Sequence, residues 1–264
     1  MNDTDLAAAR AALLEARRAA RPIGPLIPTQ WVPADLQQAY RLQRAMAVDP
    51  GEIRGWKISG LTSEQQRAMG VACPLAAPLL APWVRDSGAS FALKDFIRPR
   101  LECEFAFELA ADLAARAAAY ARAEVEAAIG ALRIVVEIVD SRLPEGSPTL
   151  LQLADDLNNG GFVVGPAVAG WRHLRYAEKA IVLRWRSGDA RSDLAHGTGS
   201  AILDGDPVAA VVLLANLPAL RPRGLRRGDI VTTGSCTGAV AVPGIGEFEA
   251  DFAALGTVRL RFVS

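Results

Sequence analysis

A chain of 264 residues, 51% hydrophobic and 22% charged, is long enough for one large domain, or a main domain with a small appendage, around a sizeable core. Its 29 basic residues balance 29 acidic ones, and no basic stripe stands out, which disfavours nucleic acid as a partner. Cys73, Cys103 and Cys236 lie far apart, which excludes a zinc ribbon or a disulfide framework and suits a reducing, cytoplasmic compartment. No apolar run reaches the ~18–20 residues of a membrane span, and the start of the chain has no apolar signal-peptide core.

In chain order, the Ala-, Leu- and Arg-rich stretch 6–21 predicts a helix, stopped by Pro22. Pro22, Pro25, Pro28 and Pro33 make the next segment an extended arm, and Pro33 opens a second helix over 34–47. These helices read as an N-terminal cap over 1–50, separable from a β-rich unit over 51–264. Residues 54–60 predict a short strand; Thr62 or Ser63 caps a helix that Gly70 ends. Pro74, Pro78 and Pro82 punctuate a loop-rich passage, and 91–97 predicts a strand.

Strands are expected again at 101–109, 134–139, 162–168, 180–186, 228–235, 239–242, 248–252 and 257–263. The Ala-rich stretch 112–130 and the segments 150–157 and 206–220 read as helices, and 158–161 as a turn. Many short strands, few long helices and frequent Gly and Pro predict an α+β fold: a rolled, mixed sheet with helices at its edge.

The chemistry gathers in Leu101-Glu102-Cys103-Glu104-Phe105. Side chains alternate along a strand, so Glu102 and Glu104 share a face. Two like charges on a mostly apolar strand repel, and a divalent cation resolves both the repulsion and the burial; a half-exposed polar face is the alternative. Glu137 stands in Ile134-Val135-Val136-Glu137-Ile138-Val139, a run fit for burial on both faces, where its carboxylate needs a cation or the nearby Arg142. Three glutamates suit Mg²⁺ or Mn²⁺ rather than Zn²⁺. Lys57, in a chain that otherwise uses Arg almost throughout, offers one ammonium to neutralise such a centre; otherwise it is an edge-strand lysine with its head in water. The loop Thr232-Thr233-Gly234-Ser235-Cys236-Thr237-Gly238 supplies hydroxyls and N–H groups able to hold a carboxylate, or is an ordinary polar turn.

Together these segments resemble the 2-keto-4-pentenoate hydratase and 4-oxalocrotonate decarboxylase family of the fumarylacetoacetate hydrolase superfamily. The likeness rests on Gly55-Trp56-Lys57-Ile58, Glu102-Cys103-Glu104, Glu137-Ile138-Val139-Asp140-Ser141-Arg142, Asn159-Gly160-Gly161-Phe162, Gly205-Asp206-Pro207 and the Gly228 to Gly238 segment, in that order. It implies Mg²⁺ or Mn²⁺ on Glu102, Glu104 and Glu137, Lys57 in the active site, and Ser235, Thr237, Asn158 and Asn159 near a small 2-oxo acid. It implies a homo-oligomer, a pentamer or decamer. The expected reaction is hydration of 2-hydroxypenta-2,4-dienoate in aromatic catabolism. Decarboxylation of 2-oxo-3-hexenedioate is the rival within the class, and a non-catalytic subunit supporting a pathway partner enzyme is the rival outside it. Two departures touch the expected substrate: Pro74-Leu75-Ala76-Ala77 lacks an acid many relatives carry, and Asn158-Asn159 replaces a Ser-Ser pair. Neither His173 nor His196 matches the histidine of the superfamily's C–C hydrolases.

Overall fold

The computed structural model describes residues 1–47, 53–220 and 223–264. Helix α1 (Asp3–Arg18) starts at Asn2, whose side chain accepts the Asp5 N–H, and α2 (Leu36–Met46) starts at Asp35, which accepts from Gln38. Pro33 therefore lies outside α2 rather than opening it, because the first free N–H groups are met by the Asp35 carboxylate. Strand β1 (Ile53–Ser59) leads to α3 (Ser63–Met69), where Thr62 and Gln65 close a capping box and left-handed Gly70 stops the helix, as read.

Strands β2 (Leu75–Leu80), β3 (Val84–Asp86), β4 (Ala89–Ala92) and β5 (Arg100–Leu109) follow. After α4 (Arg122–Ala128) and β6 (Ile129–Val139) come α5 (Thr149–Ala154), β7 (Asn159–Val168), β8 (Ala180–Ser187) and β9 (Ala190–Thr198). Helix α6 (Pro207–Ala215) precedes β10 (Ile230–Ser235), β11 (Val240–Ala241), β12 (Gly246–Asp251) and β13 (Thr257–Val263).

The strands form two sheets, with order β2-β1-β10-β5-β6-β7-β3, β11 pairing β5, and β4-β13-β12-β8-β9. The pairs β1–β10, β3–β7 and β4–β13 are parallel, and the other pairs are antiparallel, so the architecture is mixed, as expected. A large apolar core joins one face of the first sheet (Phe105, Phe107, Ile134, Val136) to the second (Phe248, Leu260, Phe262). The opposite face carries a smaller cluster of Leu79, Ala106, Val135, Phe162 and Ile230. The N-terminal helices bury Leu13, Leu42 and Met46 against Leu143 and Leu151. Gln43 ties α2 inward by donating to the carbonyls of Ala76 and Leu153.

Several expectations are corrected. The proline-punctuated passage holds β2; Pro78 is tolerated because β2 is an edge strand. The strand expected at 91–97 ends at Ala92 and passes into a 3₁₀ turn, Leu93–Asp95. The Ala-rich helix expected over 112–130 is helical only in α4, because Leu113 bridges Leu225 and the Ala114 carbonyl accepts the Tyr120 hydroxyl, which override propensity. Helix α6 stops at Ala215, where Asn216 turns to bond the backbone of Tyr120. Asn159 belongs to β7 rather than to a turn. Strand β9 has exposed Arg191, Ser192 and Asp193 on a sheet edge, so no apolar alternation announced it.

Candidate metal centre and active site

The antiparallel register of β5 on β6 sets Glu102 directly opposite Glu137, and Glu104 lies two residues along on the same face. One carboxylate oxygen from each of Glu102, Glu104 and Glu137 lies within 4.8 Å of the other two. Glu104 is 2% exposed and Glu137 0%. The expected convergence of three remote acids is thus present in the geometry, and the half-exposed alternative does not hold for Glu104.

Such a cluster is expensive without a counter-ion. Burial first, and then the Glu137 charge, push the Glu102 carboxyl up to about 7 against the pull of Lys57 and Arg100. Burial, Glu137 and Glu102 push Glu104 up to about 8, although Lys57 and the Gly234 N–H oppose this. One oxygen of each buried acid is held: Glu104 Oε2 accepts the Gly234 N–H at 2.9 Å, and Glu137 Oε1 accepts Lys57 Nζ at 2.5 Å and Asn159 Nδ2 at 2.9 Å. Among the described residues, Glu137 Oε2 is buried with no hydrogen-bond partner. A convergent set of hard oxygen donors, one of them orphaned, fits a divalent cation.

Lys57 is 7% exposed and sits on β1 between β2 and β10, so it is not an edge lysine. Nζ also donates to the Leu157 carbonyl at 3.1 Å. Burial alone lowers an ammonium's pKa; the Glu137 and Glu102 charges, the Glu137 hydrogen bond and Glu104 outweigh it and hold Lys57 above the usual lysine value. Arg142 is not the partner of Glu137. Its Nε pairs with Asp155 at 2.7 Å, and both groups are buried.

The other expected residues divide. Asn159 reaches Glu137, and the Ser235 Oγ, on a residue paired across the sheet with Glu104, is buried without a partner among the described residues. Asn158 Nδ2 donates to Gln152, and its Oδ1 is unpartnered among the described residues. The Thr237 hydroxyl is already engaged by the Cys103 N–H and the Gly238 carbonyl. Leu75 is fully buried beside Ala39 and Leu153, and both histidines are exposed.

Two features escaped sequence reading. The Leu157 carbonyl reaches Lys57 because Asp156, Leu157 and Asn158 all have positive φ (51°, 50° and 63°), a conformation Asp and Asn favour but a branched apolar Leu does not. Asp156 is 4% exposed, and its Oδ1 has no partner among the described residues. Burial pushes the Asp156 carboxyl up to about 7, opposed by Arg17 and Arg142. Asp155-Asp156 ahead of Asn158-Asn159 was the signal available for this turn, since both residue types tolerate the left-handed region.

These carboxyls bind more protons folded than unfolded, so between roughly pH 4.5 and 8 the metal-free chain loses stability as pH rises. The stabilisation from a divalent cation, which needs the deprotonated acids, grows over the same window. Thermal melts in EDTA and in Mn²⁺ at pH 5.5 and 8 should therefore diverge as pH rises; a pH-independent gap would contradict the proton count of this cluster.

No family model matches the chain. It is 32% identical over 267 aligned residues to the 2-keto-4-pentenoate hydratase of Burkholderia vietnamiensis, with 99% of this chain and 98% of the relative covered. It is 30% identical to a 4-oxalocrotonate decarboxylase of Pseudomonas putida, covering 85% and 83%. Among solved structures it is similar in fold to the 4-oxalocrotonate decarboxylase of Pseudomonas putida G7 complexed with calcium and acetate. The TM-score is 0.85 at 23% identity, over 100% of this chain and 99% of that one. A fumarylpyruvate hydrolase of Pseudomonas aeruginosa in complex with Mn²⁺ and pyruvate matches with TM-score 0.54 and 15% identity, over 80% and 89%.

Proposed function

We propose a reaction for this chain, which belongs to the family of 2-keto-4-pentenoate hydratases and 4-oxalocrotonate decarboxylases: the metal-dependent hydration of 2-hydroxypenta-2,4-dienoate to 4-hydroxy-2-oxopentanoate. The observation that carries it is the buried convergence of Glu102, Glu104 and Glu137 beside Lys57. In this reading those three acids hold Mg²⁺ or Mn²⁺. A bound divalent cation supplies Lewis acidity that stabilises negative charge developing on the 2-oxo oxygen of a substrate.

The chain's own groups do the rest. An ammonium has three N–H donors, and Lys57 uses two on Glu137 and Leu157, leaving one to meet a substrate oxygen or carry a proton. Ketonisation moves the enol proton to C5; addition then places the water oxygen on C4 and a proton on C3. Ser235, whose hydroxyl has no partner among the described residues, is the proposed donor to the substrate carboxylate, and Asn158 and Asn159 are proposed to act beside it. Thr237 keeps a supporting part in that loop by bracing Cys103 on β5.

Decarboxylation of 2-oxo-3-hexenedioate is the second reading, favoured by the 30% identity to the decarboxylase relative. It uses the same electron sink, with carbon dioxide leaving instead of water arriving. A homo-oligomer of pentameric rings, and association with a pathway partner enzyme, belong to the same proposal.

Mg²⁺ with oxalate, a non-reacting chelate of the same shape, should raise Tm by several degrees more than either alone. Additive or absent shifts would count against a 2-oxo acid site. Incubation with each substrate separates the readings: a hydrated product from the dienol supports the first, and carbon dioxide from the dicarboxylate the second. Turnover of neither would favour a non-catalytic subunit.

A further inference from the structure

Asn159, the first residue of β7, is where the centre and the N-terminal helix meet. Its side chain donates to Glu137, and its carbonyl accepts from two guanidinium groups: Arg142 Nη1 at 2.7 Å and Arg17 Nη2. The preceding left-handed turn delivers the Leu157 carbonyl to Lys57. Three consecutive non-glycine residues at positive φ cost about 1–2 kcal/mol each and persist only where the surroundings over-determine them. The Asp140 N–H pins the Asn158 carbonyl, and Arg142 pins Asn159.

Arg142 is accounted for by its pairing with Asp155. Arg17 is not. It comes from the last turn of α1, lies over the Trp83 ring at 4.7 Å, and makes no salt bridge to any described carboxylate. Its Nη1 is buried without a partner among the described residues. Burial and the neighbouring Arg142 both act against its charge, and the Asp156, Asp155 and Asp140 carboxyls favour it from a distance. Placing one guanidinium beside another without an ion pair works against folding. What the arrangement does achieve is a second grip on the Asn159 carbonyl.

We infer that Arg17 is a positioning residue of the candidate centre: from the N-terminal helix it fixes the Asn159 backbone, and through it the amide that holds Glu137 and the carbonyl that holds Lys57. The helix thereby completes the site rather than merely covering it. This inference rests on the proposed roles of Glu137 and Lys57.

The test uses the full chain with Arg17→Met, which keeps the stem against Trp83, and Arg17→Lys, which keeps one donor. Assays run well below each variant's Tm. Arg17→Met should lower kcat by ~10–100-fold with KM within about threefold, and weaken Mn²⁺ binding, read by electron paramagnetic resonance without substrate, by about tenfold. Arg17→Lys should recover a large part of both. In an Asn159→Ala background, Arg17→Met should cost less than about threefold more, because the two losses share one route. Arg17→Met with kcat and Mn²⁺ affinity within about twofold of the wild type overturns the inference, as does full multiplication of its effect with that of Asn159→Ala. A wild-type chain that binds no Mn²⁺ overturns the proposed function, and this inference with it; normal wild-type binding with an unaffected Arg17→Met overturns the inference alone.

Discussion

Glu137→Gln should remove measurable Mn²⁺ binding at micromolar metal and lower turnover by about 10³-fold or more. The substitution preserves volume, so its effect comes from charge and donor sense. Glu137 Oε1 accepts from both Lys57 and Asn159. In the Glu137→Gln variant the amide oxygen must take that position, because two donors already point there. The amide NH₂ then occupies the place of the orphaned Oε2 and presents protons to the centre. A cation loses one ligand and one negative charge, and meets a donor instead. Titration with Mn²⁺ and the loss of the oxalate-dependent thermal shift check this. Unchanged metal affinity would mean that the Glu137 carboxylate is not a ligand, and the proposed chemistry would fall with it.

Lys57→Met is the second large effect, and it should separate binding from chemistry. Turnover falls by ~10²–10⁴-fold if Lys57 moves a proton or meets the developing charge. Mn²⁺ binding should persist and grow no weaker, since removing a cation beside three carboxylates increases their pull on another. The metal-free variant should be less stable, because Glu137, 0% exposed, loses its buried counter-charge. Saturating Mn²⁺ should restore much of that loss. Parallel loss of metal binding and turnover would make Lys57 a structural counter-ion. Near-normal turnover would remove it from the chemistry.

The two variants probe side chains whose meeting was only half legible in the sequence. That Glu102 and Glu104 share a face followed from the alternation of a strand, a rule reaching two residues. The caps of α3 followed from Thr62 and Gly70, which act within one turn. That Glu137 needed a cation followed from the β-branched run around it. Which cation it had was not local: Arg142, five residues away, turned to Asp155, and Lys57, eighty residues away, took the place. Local propensity also misled where distant partners prevailed, as when Leu225 held Leu113 out of a helix and an edge position admitted Pro78 to a strand.

By itself the sequence determined most of the elements, the apolar faces and the stock of reactive groups, because alternation, capping and burial preference act between near neighbours. Tertiary structure alone decided the strand register that opposes Glu102 to Glu137, the left-handed turn aimed at Lys57, and the arrival of Arg17 from α1. Register and backbone strain are settled by the packing of the whole sheet. The energy that holds Leu157 at positive φ comes from residues far away along the chain, so no local pattern records it.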